Sequence, residues 1–306
     1  MRIVVAGSHG LIGHALLPLL RDGGHDVVRL VRGPADAPDE AAWDPDLGQL
    51  DPAVLDGADA VVDLAGARIG KPGREHRREV LTSRLRTAGL LARTISHLDV
   101  PPAVLLQASA AGAYGDRGDD LLTEAEPYGD TFLADVVKRW EAAAKPVTES
   151  GCRLVLLRSG IVLSPDGGAL RALLPLVRSG LGARFGSGRQ YWSWITLADE
   201  VRAIEHLLRA DVHGPVNLVA TATRNAELIG TLAQHLGRRV LLRVPAAPMR
   251  LVLGDLASEM LGSTRADPAA LRVSGFRFSH PDITAAARWT RACLNARPRD
   301  EQSHRL

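Results

Sequence analysis

Only two cysteines, Cys152 and Cys293, occur in 306 residues. They cannot build a disulfide framework, and neither sits in a Cys/His cluster of zinc-site spacing. The ten histidines show no His-Glu-x-x-His or comparable pattern, so no metal is expected. No apolar run is long enough to span a bilayer. Met1-Arg2 leads directly into an apolar segment without a signal-peptide pattern, so a soluble cytoplasmic protein is expected. An excess of one charge is missing too. The 37 basic residues face 35 acidic ones, net +2, with no long like-charge block, which argues against nucleic acid and membrane as partners. Internal repeats are absent. What remains is 46% hydrophobic and 24% charged, an ordinary globular composition with enough chain for one large domain or two small ones.

The most informative stretch is Met1–Gly13. A short β-branched run ends at Gly7, and Gly10 and Gly13 follow before a helical pattern from about Leu11 to Asp22, closed by Gly23-Gly24. A strand that turns through glycines into a helix N-terminus is an anion site, because bare backbone can approach a pyrophosphate and the helix amides face it. Gly7, Ser8, His9, Gly10, Leu11, Ile12 and Gly13 are therefore candidate nucleotide contacts. Further strands are expected at 27–31, 60–66, 103–108, 153–157 and 215–219. Helices are expected at about 75–97, 132–150, 169–180, 197–209, 225–236 and 249–261. Residues 33–52 read as a loop carrying Trp43 as a possible lid.

Strands alternating with helices predict a Rossmann-type α/β fold, a doubly wound parallel sheet whose ligand lies at the carboxyl ends of the strands. Five strand exits carry small or functional residues: Gly7–Gly13, Arg32, Leu64-Ala65-Gly66, Ser109–Gly115 and Arg158–Val162. The end of the second strand usually offers an acidic residue to the ribose diol of NAD. Here Arg32 stands nineteen residues after Gly13. A cation suits a 2′-phosphate, so NADP(H) is expected over NAD(H), with a solvated loop arginine as the alternative.

These motifs, with Ser83-Arg84, Gly115-Asp-Arg-Gly-Asp119, Trp140-Glu141, Pro165-Asp-Gly-Gly168, Gly186-Ser-Gly-Arg-Gln-Tyr-Trp-Ser-Trp-Ile195 and Gly275-Phe-Arg-Phe278, resemble the atypical short-chain dehydrogenase/reductases. Within them the likeness is to the epimerase-family branch of nucleoside-diphosphate-sugar epimerase-like proteins, and it extends to about residue 290. It implies an NADP-binding domain over 1–239 with a substrate-side insertion near 164–196. It also implies a small C-terminal α+β domain over 240–294; the polar tail that follows, 295–306, is expected to be mobile. Carried over by position, cofactor contacts fall on the glycine loop, Arg32, Leu64, Ala65, Glu79, Arg84 and the backbone near Val162, with Gly66 at the same exit. Glu79 is equally readable as a solvated helix charge.

The resemblance also exposes a gap. Ordinary members use Ser or Thr with a Tyr-x-x-x-Lys unit, in which lysine lowers the pKa of the tyrosine that moves the substrate proton. Aligned on Trp140-Glu141, those two places hold Leu133 and Val137, and Lys138 is about 100° around the helix from the second. Ser109 fits the serine role. Tyr114 is the nearest phenol, either an acid/base or a packing aromatic. Ala113, Ala67 and a shortened segment at 70–74 also depart from the family pattern. Arg189, Tyr191, Trp192 and Trp194 are substrate-side candidates for a ring-bearing or sugar-like ligand, or else core aromatics. Gly66-x-x-x-Gly70-Lys71-Pro72 is one residue short of a phosphate loop and has Pro in place of Ser/Thr. An NADP-dependent oxidoreductase acting on a carbonyl or carbinol of a small molecule is therefore expected. An epimerase or dehydratase that uses bound NADP transiently is the second reading, and a non-catalytic NADP-binding protein the third. A homodimer is one assembly open to it.

Overall fold

Strand β1, Arg2–Ala6, shows how the fold is partitioned. Its side chains alternate: Ile3 and Val5 enter one apolar cluster, Val4 and Ala6 another. A strand buried on both faces belongs at the centre of a sheet covered by helices on both sides. The computed structural model describes residues 1–69, 73–178, 183–240, 242–253 and 255–296.

After β1 come α1 (Leu11–Asp22), β2 (Asp26–Val31), β3 (Glu40–Asp44), β4 (Gln49–Leu50) and β5 (Ala60–Asp63). Next are α2 (Arg74–Ser96), β6 (Val104–Ala110), β7 (Leu121–Leu122), α3 (Phe132–Ala144) and β8 (Arg153–Ser159). Then follow β9 (Ile161–Leu163), α4 (Gly168–Arg178), β10 (Ala183–Phe185), β11 (Tyr191–Thr196), α5 (Leu197–Arg209) and β12 (Gly214–Leu218). The chain closes with β13 (Thr221–Arg224), α6 (Asn225–His235), β14 (Leu242–Val244), α7 (Ala246–Leu253), α8 (Asp255–Leu261), β15 (Arg265–Ala266), α9 (Ala269–Val273) and α10 (Ile283–Asn295).

The main sheet has the order β12-β8-β6-β5-β1-β2-β3-β4 and is parallel except at the β3–β4 edge. From β1 the chain moves outward through β2 and β3, then returns to the other side of β1 as β5. The loops leaving β1 and β5 therefore diverge, and this switch point opens a crevice. One face packs Leu16 and Leu20 of α1 and Ile204 and Leu207 of α5 against Ile3, Val5 and Leu106. The other packs Leu91 and Ile95 of α2 and Trp140 of α3 against Val4, Val61 and Leu105. Thr131 starts α3 by accepting the Ala134 N–H at 3.2 Å, and Thr196 starts α5 by accepting that of Asp199 at 3.2 Å.

A third cluster joins Leu163, Phe185, Trp192 and Trp194 to Leu228 and Leu232 of α6 and to Met249, Ala257, Ile283 and Ala286. The second body is thus assembled from β9–β11, β13–α6 and the C-terminal helices. The expected boundary at 239 falls between α6 and the helices it packs against. Leu271 and Phe276 return to the α1/α5 face. Two strands appear where a loop was expected, β3 and β4. Within the helix expected at 249–261, the described residues are helical as α7 up to Leu253 and as α8 from Asp255. The tail from 297 onward and residues 70–72, which include part of the phosphate-loop look-alike, lie outside the described residues. No helix among the described residues is long and apolar enough to cross a membrane.

Candidate nucleotide site at the switch point

A cleft of about 520 Å³ lies at the carboxyl ends of β1, β2 and β5. Gly7, His9 and Gly10 form its floor, and Leu30, Val31 and Arg32 come from the end of β2. Trp43 and Asp46 close the outer edge, Leu64–Ala67 the inner one, and Glu79, Thr82, Ser83 and Arg86 line it from α2.

The glycines are required by close approach. Gly7 has φ +80°, and a Cβ there would lie 2.5 Å from the Leu64 carbonyl carbon. A Cβ on Gly13 would lie 2.4 Å from the Gly7 oxygen. The two loops that frame the cleft are therefore in backbone contact. Gly10 caps α1 with no side-chain bond to the helix amides, so the N-terminus is presented bare to the cleft. A cradle of bare backbone over an uncapped helix fits a pyrophosphate.

The inner loop is fixed from below. Asp63, fully buried, accepts the Ala65 N–H at 2.9 Å and the Gln107 amide N–H at 2.9 Å. Burial pushes its carboxyl up to about 6. Ser83 Oγ accepts the Ala67 N–H at 3.1 Å, and Arg84 Nη1 donates to the Ala67 carbonyl at 3.0 Å. Arg84 also donates to the Val80 carbonyl and lies 4.8 Å over the Trp140 ring, with burial lowering its pKa to about 10. Its guanidinium is thus spent on the loop backbone and does not line the cleft.

Of the cofactor candidates read from the sequence, Gly7, His9, Gly10, Arg32, Leu64, Ala65, Gly66 and Glu79 line the cleft. Ser8 and Gly13 support the floor from beneath. Ile12 packs into the core, and Leu11 packs against the turn at Gly167. Val162 lies outside the cleft on β9, paired with Ile195. Trp43 is buried in the α2-side core, with one edge on the cleft. Asp46, Thr82, Ser83 and Arg86 were not anticipated as lining residues. For the last three the signal was available, since 79, 82, 83 and 86 share one helix face.

The expected catalytic hydroxyls are placed elsewhere. Ser109 is buried and donates to Glu141 Oε1 at 2.5 Å. Glu141 also accepts two hydrogen bonds from Arg158, both 2.9 Å, and a fourth from the Tyr128 hydroxyl at 2.5 Å. Burial opposes the charge on Arg158, but its bonds to Glu141 outweigh that and raise its pKa. Tyr114 is fully buried, donates to Asn217 Oδ1 at 2.7 Å and accepts from Arg158 at 3.1 Å. Its pKa is raised, chiefly by burial. Of the two readings of Tyr114, the packing one describes its surroundings. Neither hydroxyl lines the cleft. Tyr128, not anticipated, is only partly buried; burial, and then Glu141, push its phenol up to about 12. Val137 is buried and Leu133 partly so.

On the substrate side the aromatics divide. Trp192 is buried and donates to the Met260 carbonyl at 3.1 Å; Trp194 is wholly buried and donates to Thr223 at 2.9 Å. Both are core residues, a correction to their expected ligand role. Tyr191 is partly exposed between the guanidinium groups of Arg224 (4.4 Å) and Arg265 (5.0 Å), and the neighbouring Arg189 is exposed. One further buried acid, Glu200 near the start of α5, accepts from Ser159 Oγ at 2.6 Å and has no partner for Oε2. Burial pushes it up to about 8.

Comparison with known proteins agrees with this architecture. Residues 3–220 match the model of the NAD dependent epimerase/dehydratase family, and residues 244–290 match a domain of unknown function, DUF1731. Epimerase family protein Mb2239 of Mycobacterium bovis is 40% identical over 289 residues, 93% of this chain and 95% of the relative. A crystal structure of human epimerase family protein SDR39U1 with NADPH superposes with a TM-score of 0.88 at 35% identity, covering 95% of this chain and 99% of that one. A nucleoside-diphosphate sugar epimerase from Corynebacterium glutamicum superposes with a TM-score of 0.79 at 33% identity, covering 95% of this chain and 58% of that one. This chain belongs to the NAD dependent epimerase/dehydratase family, with epimerase family proteins such as Mb2239 and SDR39U1 as relatives, and it carries the extra C-terminal domain.

Proposed function

We propose that the chain binds NADP(H) across the switch-point cleft and uses it to oxidise or reduce a small molecule at a carbonyl or carbinol carbon. The observation that carries the cofactor reading is Arg32. At the exit of β2 its guanidinium stands on the cleft where a carboxylate would be needed for a free ribose diol. The bare N-terminus of α1 and the Gly7–Gly10 backbone receive the pyrophosphate. Leu30, Trp43 and Leu64–Ala67 supply apolar and backbone walls for the adenosine end. The NADPH in the human relative's crystal structure supports the same choice.

When bound, the nicotinamide supplies or accepts hydride. This chain's residues must then orient the substrate and handle one proton. Tyr191, its ring held by the Arg224 and Arg265 guanidinium groups, offers its exposed edge, with the Arg189 cation beside it, to a ring-bearing substrate. The proton is the weaker part, because the hydroxyl of Ser109 is engaged by Glu141 and that of Tyr114 by Asn217. That observation favours a second reading, an NADP-binding protein without turnover. An epimerase or dehydratase, in which hydride leaves and returns, is the remaining enzymatic form.

Arg32→Ala is expected to weaken NADPH binding about tenfold or more and NADH binding by less than about twofold, because a charged phosphate contact is lost only in the first case. Equal losses would remove the NADP assignment. With carbonyl and sugar-nucleotide substrate panels, absorbance at 340 nm falls for a reductase. It stays constant while product forms for an epimerase or dehydratase, and no product forms for a binding protein.

A further inference from the structure

The corner of the cleft at Arg32 holds a second cation and an anion between the two. Asp46 Oδ1 lies 2.7 Å from Arg86 Nη1, and Asp46 Oδ2 lies 3.5 Å from Arg32 Nη1. All three residues line the cleft. Arg86 reaches the corner from α2, whereas Arg32 comes from β2. One carboxylate thus meets two guanidinium groups from different elements, one with each oxygen, as a bound oxyanion would. The turn that carries Asp46 does not depend on its side chain. Asp44 Oδ1 accepts the N–H groups of Asp46 and Leu47 at 2.8 and 3.1 Å, and that bond sets the turn.

We infer that Arg32 and Arg86 together form the subsite for the cofactor's 2′-phosphate, and that the Asp46 carboxylate fills this subsite in its place and is displaced when NADP(H) enters. The inference rests on the NADP(H) reading above and extends it to a residue pair that tunes affinity. The side chains of Arg32, Arg86 and Asp46 are 56%, 52% and 49% exposed. Ion pairs this wet are weak and exchange readily, so the aspartate is a removable occupant and not a structural anchor. A phosphate monoester brings more charge and three acceptor oxygens, and it matches two planar guanidinium forks better than one carboxylate does. The carboxylate lowers NADPH affinity by the fraction of time it holds the arginines. NAD(H) has no 2′-phosphate with which to displace it.

The test is a fluorescence titration of the full chain with NADPH and with NADH, comparing wild type, Asp46→Asn, Arg86→Ala and Arg86→Lys. All three positions are half exposed, and NADH binding serves as the folding control. Asp46→Asn is expected to tighten NADPH binding about two- to fivefold, the range set by releasing exposed ion pairs, and to leave NADH unchanged. Arg86→Ala is expected to weaken NADPH about tenfold and NADH less than about twofold, with Arg86→Lys between it and wild type. Asp46→Asn leaving NADPH binding unchanged or weaker overturns the inference. So does Asp46→Asn weakening NADH, which would make Asp46 the acceptor of a ribose diol. Equal losses of both cofactors in Arg86→Ala also overturn it. These outcomes are read against wild type; a wild-type chain that does not prefer NADPH would instead remove the cofactor reading on which the inference stands.

Discussion

Glu200→Gln should stabilise this protein at high pH and leave it nearly unchanged at low pH. Glu200 is 1% exposed, takes a single hydrogen bond from Ser159 and leaves Oε2 without a partner. Burial raises its pKa from 4.5 to about 8. The folded chain therefore keeps a proton that the unfolded chain releases. Between those two values the native state binds more protons than the unfolded one, so stability falls as pH rises and levels off only above the folded pKa. At pH 7 the span above 4.5 corresponds to about 3 kcal/mol, as an order of magnitude. Glutamine keeps the acceptor for Ser159 and carries no charge at any pH. Urea unfolding of both proteins at pH 5 and pH 8 measures the effect. The difference in unfolding free energy should be small at pH 5 and a few kcal/mol in favour of Glu200→Gln at pH 8. Asp63 also titrates, to about 6, but contributes equally to both proteins. Parallel pH profiles for the two would refute the assignment of Glu200 as a neutral buried acid.

Two further substitutions separate positioning from contact. Glu141→Ala leaves the buried Arg158 guanidinium without its carboxylate and strips the acceptor from Ser109 and Tyr128. A loss of about 3–5 kcal/mol by urea unfolding is expected, and a loss below 1 kcal/mol would contradict the pairing. Arg84→Ala releases the Ala67 carbonyl without removing a cleft-lining side chain. It should weaken NADPH and NADH binding by similar factors in a fluorescence titration; a loss confined to NADPH would place Arg84 at the 2′-phosphate.

The main sheet was legible because its signals are local and redundant. The β-branched run of β1, the glycines after it and the Leu16/Leu17/Leu20 stripe of α1 each point to the same βα unit. β3 was hidden because Glu-Ala-Ala-Trp-Asp has little strand character and is flanked by proline, aspartate and glycine. It forms by pairing with β2, where Arg29 lies opposite Glu40 and ties Asp39 with a 2.8 Å ion pair. In the cleft, the sequence located Arg32 and the Gly7–Gly10 turn because a strand exit confines the next residue to one location. It could not place a side chain on one face of an element. Arg84 points under the Leu64–Ala67 loop while Ser83 and Arg86 reach the cleft, a difference of helix angle. Ser109 and Tyr114 have the expected chemistry, but Glu141, Arg158 and Asn217, distant in the chain, claim their hydroxyls. Trp192 and Trp194 are two apart on a strand and so share a face. A shared apolar face with core partners on α6 makes both of them packing residues.

The most direct test of the central claim is calorimetric titration of the wild-type chain with adenosine 2′,5′-bisphosphate and with AMP, two ligands that differ by the 2′-phosphate alone. The account predicts binding of the bisphosphate at least about tenfold tighter than AMP, with the advantage shrinking as salt is raised. Equal affinities for the two, or a preference for AMP, would contradict it.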